Sequence, residues 1–330
     1  MIVPWQRSAR SRASADLPLA VGPARISAVR FCGVPALLAM NYVVTLVAVD
    51  NTNALDAAAL TRVRDMIGGD RPVWLSEGEA AEISAPGAAD IAGIRAALND
   101  APIDVIATPA AGRRKSLLVA DMDSTVVTGE TLDELADFAG LKDRIAAITA
   151  RAMNGELDFK AALRERVAML RGLPVDALER TWQRVRLTPG ARELVATMRA
   201  HGAYTALVSG GFSFFTGRVA ALCGFDEHRS NILLDDGAVL TGDVAEPILD
   251  RDTKLHTLTR LAADRGLSIQ ATIAVGDGAN DLDMLRAAGL GVAFHAKPIV
   301  AASARARVDH AGLRALLFAQ GYRAGEILTA

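Results

Sequence analysis

The sequence predicts an α/β protein in which a doubly wound, mainly parallel sheet carries a helical cap insertion and follows a small α+β domain. Two observations support this prediction. Residues 42–108 show the order βαββαβ, which is typical of two helices on one face of a small antiparallel sheet. Beyond residue 115, short apolar runs without polar alternation are separated by helical patterns, as expected for parallel strands covered by helices on both faces.

Composition and charge indicate a globular protein and exclude some classes of binding partner. The 330 residues are 51% hydrophobic and 22% charged, which is ordinary for a globular protein of about two domains at ~150 residues each. Thirty-six basic against 38 acidic side chains leave a net charge of −2, so neither nucleic acid nor an anionic membrane is an expected partner. The two cysteines, Cys32 and Cys223, are too few for a disulfide framework, so a reducing, cytoplasmic compartment is expected.

The start of the chain contains one feature that competes with a soluble protein. Residues 31–49 carry no charge and follow several arginines, a pattern that partly fits a transmembrane helix or a signal peptide. A glycine and a proline interrupt the run, and its last part, 42–49, has the β-branched character of a strand. We therefore expect a strand there, Met40 as the true start, and residues 1–39 as a poorly ordered extension or a mis-called start.

Residues 40–109 are expected to form the first domain. Its predicted elements are a strand, a helix, a hairpin, a second helix and a last strand, at residues 42–49, 55–67, 73–76 with 80–84, 88–98 and 103–108. This ferredoxin-like order resembles ACT and ACT-like modules, which sense amino acids. The resemblance rests on the pattern alone, so a dimerisation or folding unit without a ligand is an open alternative.

The second domain is expected over residues 110–330, and a basic linker at 109–115 leads into it. Its predicted core strands are 116–120, 204–208, 272–275 and 290–294. Residues 128–187 are helical in pattern and far longer than a βα loop needs, so we interpret them as a cap over the sheet. The segment after His310 is expected to pack as a helix. In such sheets, ligands bind beyond the carboxyl ends of the strands.

Chemically active residue types follow three of these strands. Asp121 and Asp123 follow the first strand, Ser209 and Gly210 the second, and residues 276–281 (GDGAND) the third. Each signal has a plain alternative, because carboxylates and hydroxyls cap helices and glycines form turns. Their joint placement at one sheet edge is not explained by capping. It indicates an active site whose carboxylates suit a hard cation.

Taken together, these motifs resemble a known family. DMDST at 121–125, SGG at 209–211, Lys254 and GDGAND at 276–281 resemble the four motifs of the haloacid dehalogenase (HAD) superfamily. Within it, residues 121–314 look like the phosphoserine phosphatases, and the cap segment MNGELDFKAALRERVAMLRGL at 153–173 carries much of this narrower match. No motif position departs from the pattern.

The resemblance implies a HAD-like Rossmannoid core and a phosphomonoester hydrolase that uses Mg²⁺. Its expected reaction converts O-phospho-L-serine to L-serine and phosphate, the last step of serine biosynthesis. Three alternatives stay open: another small phosphate ester such as phosphohomoserine, phosphate transfer to an alcohol, and a serine-sensing regulatory protein.

Physical chemistry and the resemblance together assign roles. A phosphate monoester is a dianion, so an anionic nucleophile needs positive charge from a divalent cation and Lys254. Asp121 is the expected nucleophile, and Asp123 the acid that protonates the leaving alkoxide and then the base that deprotonates water. The resemblance implies that the side chains of Asp121 and Asp277 and the backbone carbonyl of Asp123 hold Mg²⁺. It assigns the phosphate to Ser209, the backbone of Gly210, Lys254 and Asn280. Asp281 is expected to orient Lys254 or a metal-bound water.

The cap is expected to select the substrate. Phosphoserine exposes an ammonium and a carboxylate, and the resemblance assigns their recognition to Glu130 and Arg166. From the local pattern alone, both would be solvated charges on helices. Met153 and Phe159 are expected as apolar walls, or otherwise as core residues. The predicted partner is this small molecule, and the sequence leaves the oligomeric state, a homodimer included, undecided.

Three further residues are interpreted as structural. Cys223 is expected to be a buried, small apolar residue rather than a catalytic thiol. His256 lies two residues beyond Lys254, and His295 follows the last predicted core strand. Both histidines are expected to be solvated.

Overall fold

The structure is a computed structural model that describes residues 41–49, 54–99, 101–153 and 157–329. The predicted extension 1–39 and the predicted start at Met40 lie outside the described residues, as does the side chain of Met153. Within the described ranges, no helix combines the length and apolar character that a membrane crossing requires.

The N-terminal part of the described chain forms a four-stranded antiparallel sheet. Its elements are β1 (Tyr42–Ala48), α1 (Ala57–Ile67), β2 (Val73–Ser76), β3 (Ala80–Ala85), α2 (Ile91–Ala97) and β4 (Ile103–Pro109). The chain order confirms the predicted βαββαβ pattern, and the strands lie in the order β2-β3-β1-β4. Alternation along β1 places Val44 and Leu46 in the apolar cluster with α1 and α2, whereas Val47 joins the larger core. The likeness to amino-acid sensors stays a prediction.

The helical insertion begins just after the first strand of the second sheet. That strand, β5 (Leu117–Ala120), is followed by α3 (Thr131–Asp137), α4 (Lys142–Met153), α5 (Phe159–Ala168) and α6 (Asp176–Trp182). Asp158 caps α5, since its Oδ2 accepts a hydrogen bond from the backbone N–H of Ala161 at 2.9 Å. The chain leaves and re-enters the core side by side, at an antiparallel bridge between Val127 and Leu187. The insertion is thus helical, as the pattern of residues 128–187 predicts, and we call it the cap.

The second sheet is parallel and has six strands in the order β12-β11-β10-β5-β6-β7. Its elements after the cap are α7 (Ala191–Ala200), β6 (Tyr204–Phe212), α8 (Ser213–Cys223), β7 (Glu227–Asn231), α9 (Arg251–Asp264), β10 (Thr272–Gly276), α10 (Leu282–Ala287), β11 (Leu290–Phe294), α11 (Pro298–Ser303), β12 (Ala306–Val308) and α12 (Ala315–Ala319). A separate hairpin, β8 (Leu233–Asp235) and β9 (Leu240–Val244), lies against α5. The four predicted core strands and the helix after His310 are confirmed.

The basic segment between the two sheets is anchored along its length. Arg113 Nη1 donates to Glu82 Oε2 of β3 at 2.7 Å. Arg114 Nη2 donates to Glu326 Oε1 at 2.6 Å, and Lys115 Nζ donates to two backbone carbonyl groups at 2.8 Å each. The segment predicted as a linker therefore holds the first sheet against the C-terminal part of the chain.

Helix α12 lies between the small sheet and helix α7. All of its residues are fully buried, and the helix contacts β1, β3 and β4 as well as α7. Just before it, Arg314 Nη2 pairs with Glu79 Oε2 at 2.9 Å. The face of the small sheet that α1 and α2 leave open is thus covered by the C-terminal helix of the larger core.

Candidate active site

Three neighbouring strands end at one cavity. Because β10, β5 and β6 are adjacent and parallel, their carboxyl ends meet at the same sheet edge. The cavity has a volume of about 470 Å³ and lies between this edge and the cap. It is lined by Asp121, Asp123, Glu130, Leu132, Thr149, Leu157, Asp158, Phe159, Lys160, Leu163, Arg166, Ser209, Gly210, Gly211, Asp250, Arg251, Asp252, Asp277, Ala279 and Asn280. The structure therefore brings most of the predicted site residues together, from both core and cap.

Asp121, which lines this cavity, forms a buried ion pair with Lys254, which lies behind it and is not among the lining residues. Lys254 Nζ lies 2.7 Å from Oδ1 of Asp121 and 2.6 Å from Oδ1 of Asp281. Burial raises the pKa of Asp121, and Lys254 opposes that shift. Burial also disfavours the charged form of Lys254, but Asp121 and Asp281 outweigh it and raise the pKa of the ammonium group. Lys254 is therefore a cation at neutral pH, and it contacts one oxygen of Asp121.

Asp123 lies on a tight turn that returns the chain toward the cap. The next residue, Ser124, has a φ of 55°, and the turn directs Asp123 toward two hydrogen-bond donors. Its Oδ1 accepts from the backbone N–H of Thr131 at 2.8 Å, and its Oδ2 accepts from Ser209 Oγ at 3.1 Å. Burial and then the charge of Glu130 raise the pKa of Asp123 to about 6. This carboxyl group can exchange a proton near neutral pH.

The end of the second strand, β6, supplies a hydroxyl group and a backbone segment that lies close to Asp123. Ser209 is buried, and its Oγ accepts a hydrogen bond from the backbone N–H of Gly211 at 2.8 Å. A Cβ atom on Gly211 would lie 2.8 Å from Oδ2 of Asp123, so a side chain at this position would displace the carboxylate. On the other side, Asn231 Nδ2 donates to the carbonyl oxygen of Gly210 at 2.8 Å and fixes the turn. The result is a narrow polar wall facing the two aspartates.

Carboxylates at the first and third strand ends together could hold a metal ion. Oxygen atoms of Asp121, Asp277 and Asp281 lie within 4.8 Å of one another, and all three residues are buried. Asp281 accepts from Lys254 Nζ and, at 3.0 Å, from the backbone N–H of Gly278, so Asp121 and Asp277 are better placed to offer oxygens to a cation. Burial and then the charge of Asp281 raise the pKa of Asp277 to about 7. A divalent cation would relieve this repulsion, and an all-oxygen donor set suits a hard cation.

Two charged groups of the cap face the same cavity. Glu130 precedes α3, and its Oε1 accepts a hydrogen bond from Ser124 Oγ at 2.7 Å. Arg166 on α5 is only 8% exposed, and its Nη1 donates to Thr149 Oγ1 at 2.9 Å. Burial lowers the pKa of Arg166. Within the part of the chain that the structure describes, no carboxylate forms an ion pair with this guanidinium, so it can accept a carboxylate ligand. The interpretation of Arg166 as a solvated surface charge is wrong.

Several lining residues escaped the sequence analysis. Lys160 of α5 pairs with Asp250 at 2.9 Å, across the boundary between cap and core. Asp250 also caps α9, the helix that carries Lys254, in a reciprocal capping box with Thr253. Lys160 is one of only five lysines in the chain, which is the one signal that could have drawn attention to it.

The predictions for Cys223 and His256 are confirmed, and the prediction for His295 is incomplete. Cys223 is 5% exposed, and burial raises the pKa of its thiol to about 11, which confirms a buried and unreactive residue. His256 is exposed, as predicted. His295 is exposed too, but its Nε2 lies 2.9 Å from the carbonyl oxygen of Ala311. The prediction of a merely solvated ring is therefore incomplete for His295.

Comparison with known proteins identifies the family. The family model described as haloacid dehalogenase-like hydrolase matches residues 118–286, which is about half of the chain and includes β5, the cap, β6 and β10. The chain belongs to the haloacid dehalogenase-like hydrolases. The matched region contains each strand end that lines the cavity. Family membership therefore agrees with the predicted parallel fold and with the acidic cluster at its edge.

Curated relatives are similar to part of this HAD-like hydrolase. A phosphoserine phosphatase of Archaeoglobus fulgidus is 45% identical over 60% of this chain, and the chain spans 58% of that relative. A phosphoserine phosphatase of Streptococcus thermophilus is 47% identical over 56% of this chain and 86% of its own length.

Some similar solved structures match most of this chain, and others match 62% of it. A probable phosphoserine phosphatase from Vibrio cholerae matches 87% of this chain and 88% of its own, with a TM-score of 0.68 and 32% identity. A structure described as a phospho-aspartyl intermediate analogue of phosphoserine phosphatase matches 62% of this chain and 98% of its own, with a TM-score of 0.59 and 39% identity. The broader match extends beyond the HAD-like core to the N-terminal sheet.

Proposed function

We propose that this HAD-like hydrolase is a Mg²⁺-dependent phosphatase that converts O-phospho-L-serine to L-serine and phosphate. The observation that carries the proposal is one cavity that combines Asp121, Asp123 and Ser209 at the sheet edge with Glu130 and Arg166 from the cap. The core residues suit phosphoryl transfer, and the cap residues suit an amino acid. The relatives that carry the name phosphoserine phosphatase support the same substrate.

Asp121 is the proposed nucleophile. Its Oδ1 contacts Lys254, so Oδ2 is the oxygen that would attack phosphorus and form an aspartyl-phosphate. Lys254 offsets negative charge as the phosphoryl group approaches. The solved phospho-aspartyl intermediate analogue of a phosphoserine phosphatase supports this intermediate.

Asp123 is the proposed acid and base. With a pKa of about 6, it can donate a proton to the leaving serine alkoxide and then take a proton from the attacking water. Its two hydrogen bonds, from Thr131 and Ser209, hold it at the cavity wall throughout. Water attack on phosphorus then releases phosphate and returns Asp121 to a free carboxylate.

Mg²⁺ is the proposed cation, held by Asp121, Asp277 and the backbone carbonyl of Asp123. When bound, it would neutralise charge on the phosphoryl oxygens. Ser209, the backbone of Gly210 and Asn280 would bind the remaining oxygens. Asp281 would keep Lys254 in place through its 2.6 Å contact.

Glu130 and Arg166 are proposed to select the amino acid. Glu130 would pair with the substrate ammonium group, and Arg166 with the carboxylate. Arg166 is buried and is held by the Thr149 hydroxyl group on one nitrogen, so its planar fork is positioned before the substrate arrives. Phe159 adds an apolar wall next to Gly210.

A phosphate-release assay tests the proposal. We expect rapid release from phosphoserine with Mg²⁺, loss of activity with a chelator, and loss with Asp121→Asn even when Mg²⁺ is present. Phosphothreonine, phosphohomoserine and added alcohol acceptors serve as competing reactions. Negligible turnover of phosphoserine beside rapid turnover of another small ester would replace the proposed substrate.

A serine-sensing regulatory protein would bind serine without turnover, and the set of acidic and basic groups in the cavity favours the enzyme. A cytoplasmic location, a homodimer and amino-acid sensing by the N-terminal sheet remain predictions.

A further inference from the structure

A series of hydrogen bonds connects the N-terminal sheet to the C-terminal segment after β12. Asp104 of β4 is only 2% exposed. Its carboxylate accepts from the backbone N–H groups of Asp309 at 2.6 Å, His310 at 3.2 Å and Ala311 at 2.8 Å. Three donors on one buried carboxylate fix the position of this short segment, because each donor would otherwise lack a partner away from water.

His295 connects that segment to the loop between β11 and α11. Its Nε2 donates to the carbonyl oxygen of Ala311 at 2.9 Å, since a carbonyl oxygen can only accept. Its backbone N–H donates to the carbonyl oxygen of Val308 at 2.8 Å. The φ angle of His295 is 43°, a region that is costly for a residue with a side chain. The two hydrogen bonds hold the residue in this conformation.

Lys297, two residues further on, connects the loop to Asp277. The backbone N–H of Lys297 donates to the carbonyl oxygen of Asp277 at 3.2 Å. Its Nζ lies 3.8 Å from Oδ2 of the same residue. The loop that His295 holds is therefore in contact with both the backbone and the carboxylate of a residue in the acidic cluster.

We propose that Asp104 and His295 are positioning residues for the cation site. They hold residues 295–297 against Asp277 and thereby set how tightly the site binds a divalent cation. This inference rests on the metal site of the proposed function. Outer contacts of this kind orient a ligand before the metal arrives, and their loss typically weakens metal binding about 10- to 100-fold. The N-terminal sheet is thus part of the support of the cation site, although it contributes no side chain to the cavity.

Two other contacts between the same parts of the chain provide matched controls. Glu82 of β3 pairs with Arg113, and Glu79 pairs with Arg314. Both join the N-terminal sheet to the rest of the chain, as Asp104 does, but neither contacts residues 309–311 or the loop at His295. A general loosening of the sheet would act through all three contacts, whereas the proposed support acts through Asp104 alone.

Calorimetric titration of the full chain with Mg²⁺ tests the inference without any turnover. We expect Asp104→Asn and His295→Phe each to weaken Mg²⁺ binding about tenfold. His295→Phe keeps an aromatic ring against Phe294 but removes the donor. His295→Gln retains a donor, so its Mg²⁺ affinity should be closer to that of the original protein.

Glu82→Gln and Glu79→Gln should lower the thermal midpoint while leaving the Mg²⁺ affinity unchanged. The double variant Asp104→Asn/His295→Phe should bind no more weakly than the weaker single variant.

The Mg²⁺ affinities of these variants can overturn the inference in several ways. Unchanged Mg²⁺ affinity in Asp104→Asn and His295→Phe would overturn the inference, and so would an equal loss in the two control variants. Additive losses in the double variant would show that the two residues act separately and would overturn the connection between them. If the original chain binds no Mg²⁺, the inference fails together with the proposed metal. If it binds Mg²⁺ and the variants do too, the inference fails alone.

Discussion

The ammonium group of Lys254 lies 2.7 Å from Oδ1 of Asp121, and both groups are buried. The same ammonium group contacts Asp281, so one cation serves two carboxylates. Where the dielectric constant is low, the attraction between these charges is strong. Removing the lysine would leave two buried carboxylates without a cation. The pair therefore links the stability of the fold to the charge of the site.

Lys254→Met should destabilise the protein in the absence of metal. Removing one partner of a buried ion pair costs about 3–5 kcal/mol, because the charge that remains is uncompensated. We expect a loss of this size in the free energy of unfolding, measured by urea denaturation in the presence of a chelator. Arg164→Met is the matched control, since Arg164 and its partner Glu246 are both more than half exposed. That change should cost less than about 1 kcal/mol. Equal losses in both variants would contradict the prediction.

The stabilisation that Mg²⁺ provides should depend on pH. The pKa of Asp277 is raised to about 7 in the folded chain, above its ordinary value of 3.8. A raised carboxyl pKa favours the folded state at low pH, and this contribution is lost as the pH rises through about 7. Mg²⁺ binds the deprotonated form, so it competes with the proton below that pH and replaces it above.

We therefore expect Mg²⁺ to raise the thermal midpoint more at pH ~8 than at pH ~5.5, as the titration of Asp277 requires. Differential scanning fluorimetry with Mg²⁺ and with a chelator at the two pH values provides the comparison. Asp277→Asn should reduce the Mg²⁺ effect at both values and make it less dependent on pH, and the pH dependence that is left comes from Asp121, whose pKa burial also raises. A larger effect of Mg²⁺ at the lower pH would contradict the assignment of Asp277.

Arg166→Lys should impair recognition of the substrate carboxylate specifically. Lysine keeps the charge but loses the planar fork, and hydrogen bonds to charged groups contribute about 1.5–3 kcal/mol each. We expect kcat/KM for phosphoserine to fall about 10- to 100-fold, which corresponds to that loss. O-phosphoethanolamine has the ammonium group but no carboxylate, so its kcat/KM should change little. Arg164→Lys, on the exposed side of the same helix, is the control and should leave both substrates unaffected.

Strands in the middle of the parallel sheet carry a local sequence signal, and strands at its edges do not. The strands that carry Asp121, Ser209 and Asp277 were predictable because buried parallel strands are continuous apolar runs. Strand β7 reads Glu-His-Arg-Ser-Asn and β12 has only three residues, so neither carries that signal. Both lie at the edges of the sheet, where a strand is hydrogen-bonded to one neighbouring strand only.

The contacts between separate elements were the part that sequence could not provide. Lys160 and Asp250 are far apart in the chain, and their ion pair forms only because the fold brings the starts of α5 and α9 together. Asp104 is similar: an isolated acid in an apolar strand shows no sign that it accepts hydrogen bonds from residues 309–311. The residues with chemically active side chains were predictable because they follow strands. The residues that position them were not predictable, because their contacts depend on tertiary packing.

The N-terminal sheet should be necessary for the folding of the HAD-like core. Removing residues 40–109 would expose α12, whose residues are fully buried, and would leave the backbone N–H groups of Asp309 and Ala311 without Asp104. A domain is stable by only about 5–15 kcal/mol, so the loss of both apolar burial and hydrogen bonds removes a large part of that margin.

We expect residues 110–330 expressed alone to aggregate or to show a thermal midpoint far below that of the full chain, as measured by light scattering and circular dichroism. Co-expression with residues 40–109 as a separate fragment should restore a soluble complex, because the two parts are joined by packing and hydrogen bonds rather than by the connecting segment alone. A soluble 110–330 fragment with the thermal midpoint of the full chain would contradict this prediction. For the same reason, binding of an amino acid to the N-terminal sheet is best tested in the full chain with substitutions on its surface, since deletion would remove the support of α12 together with any ligand site.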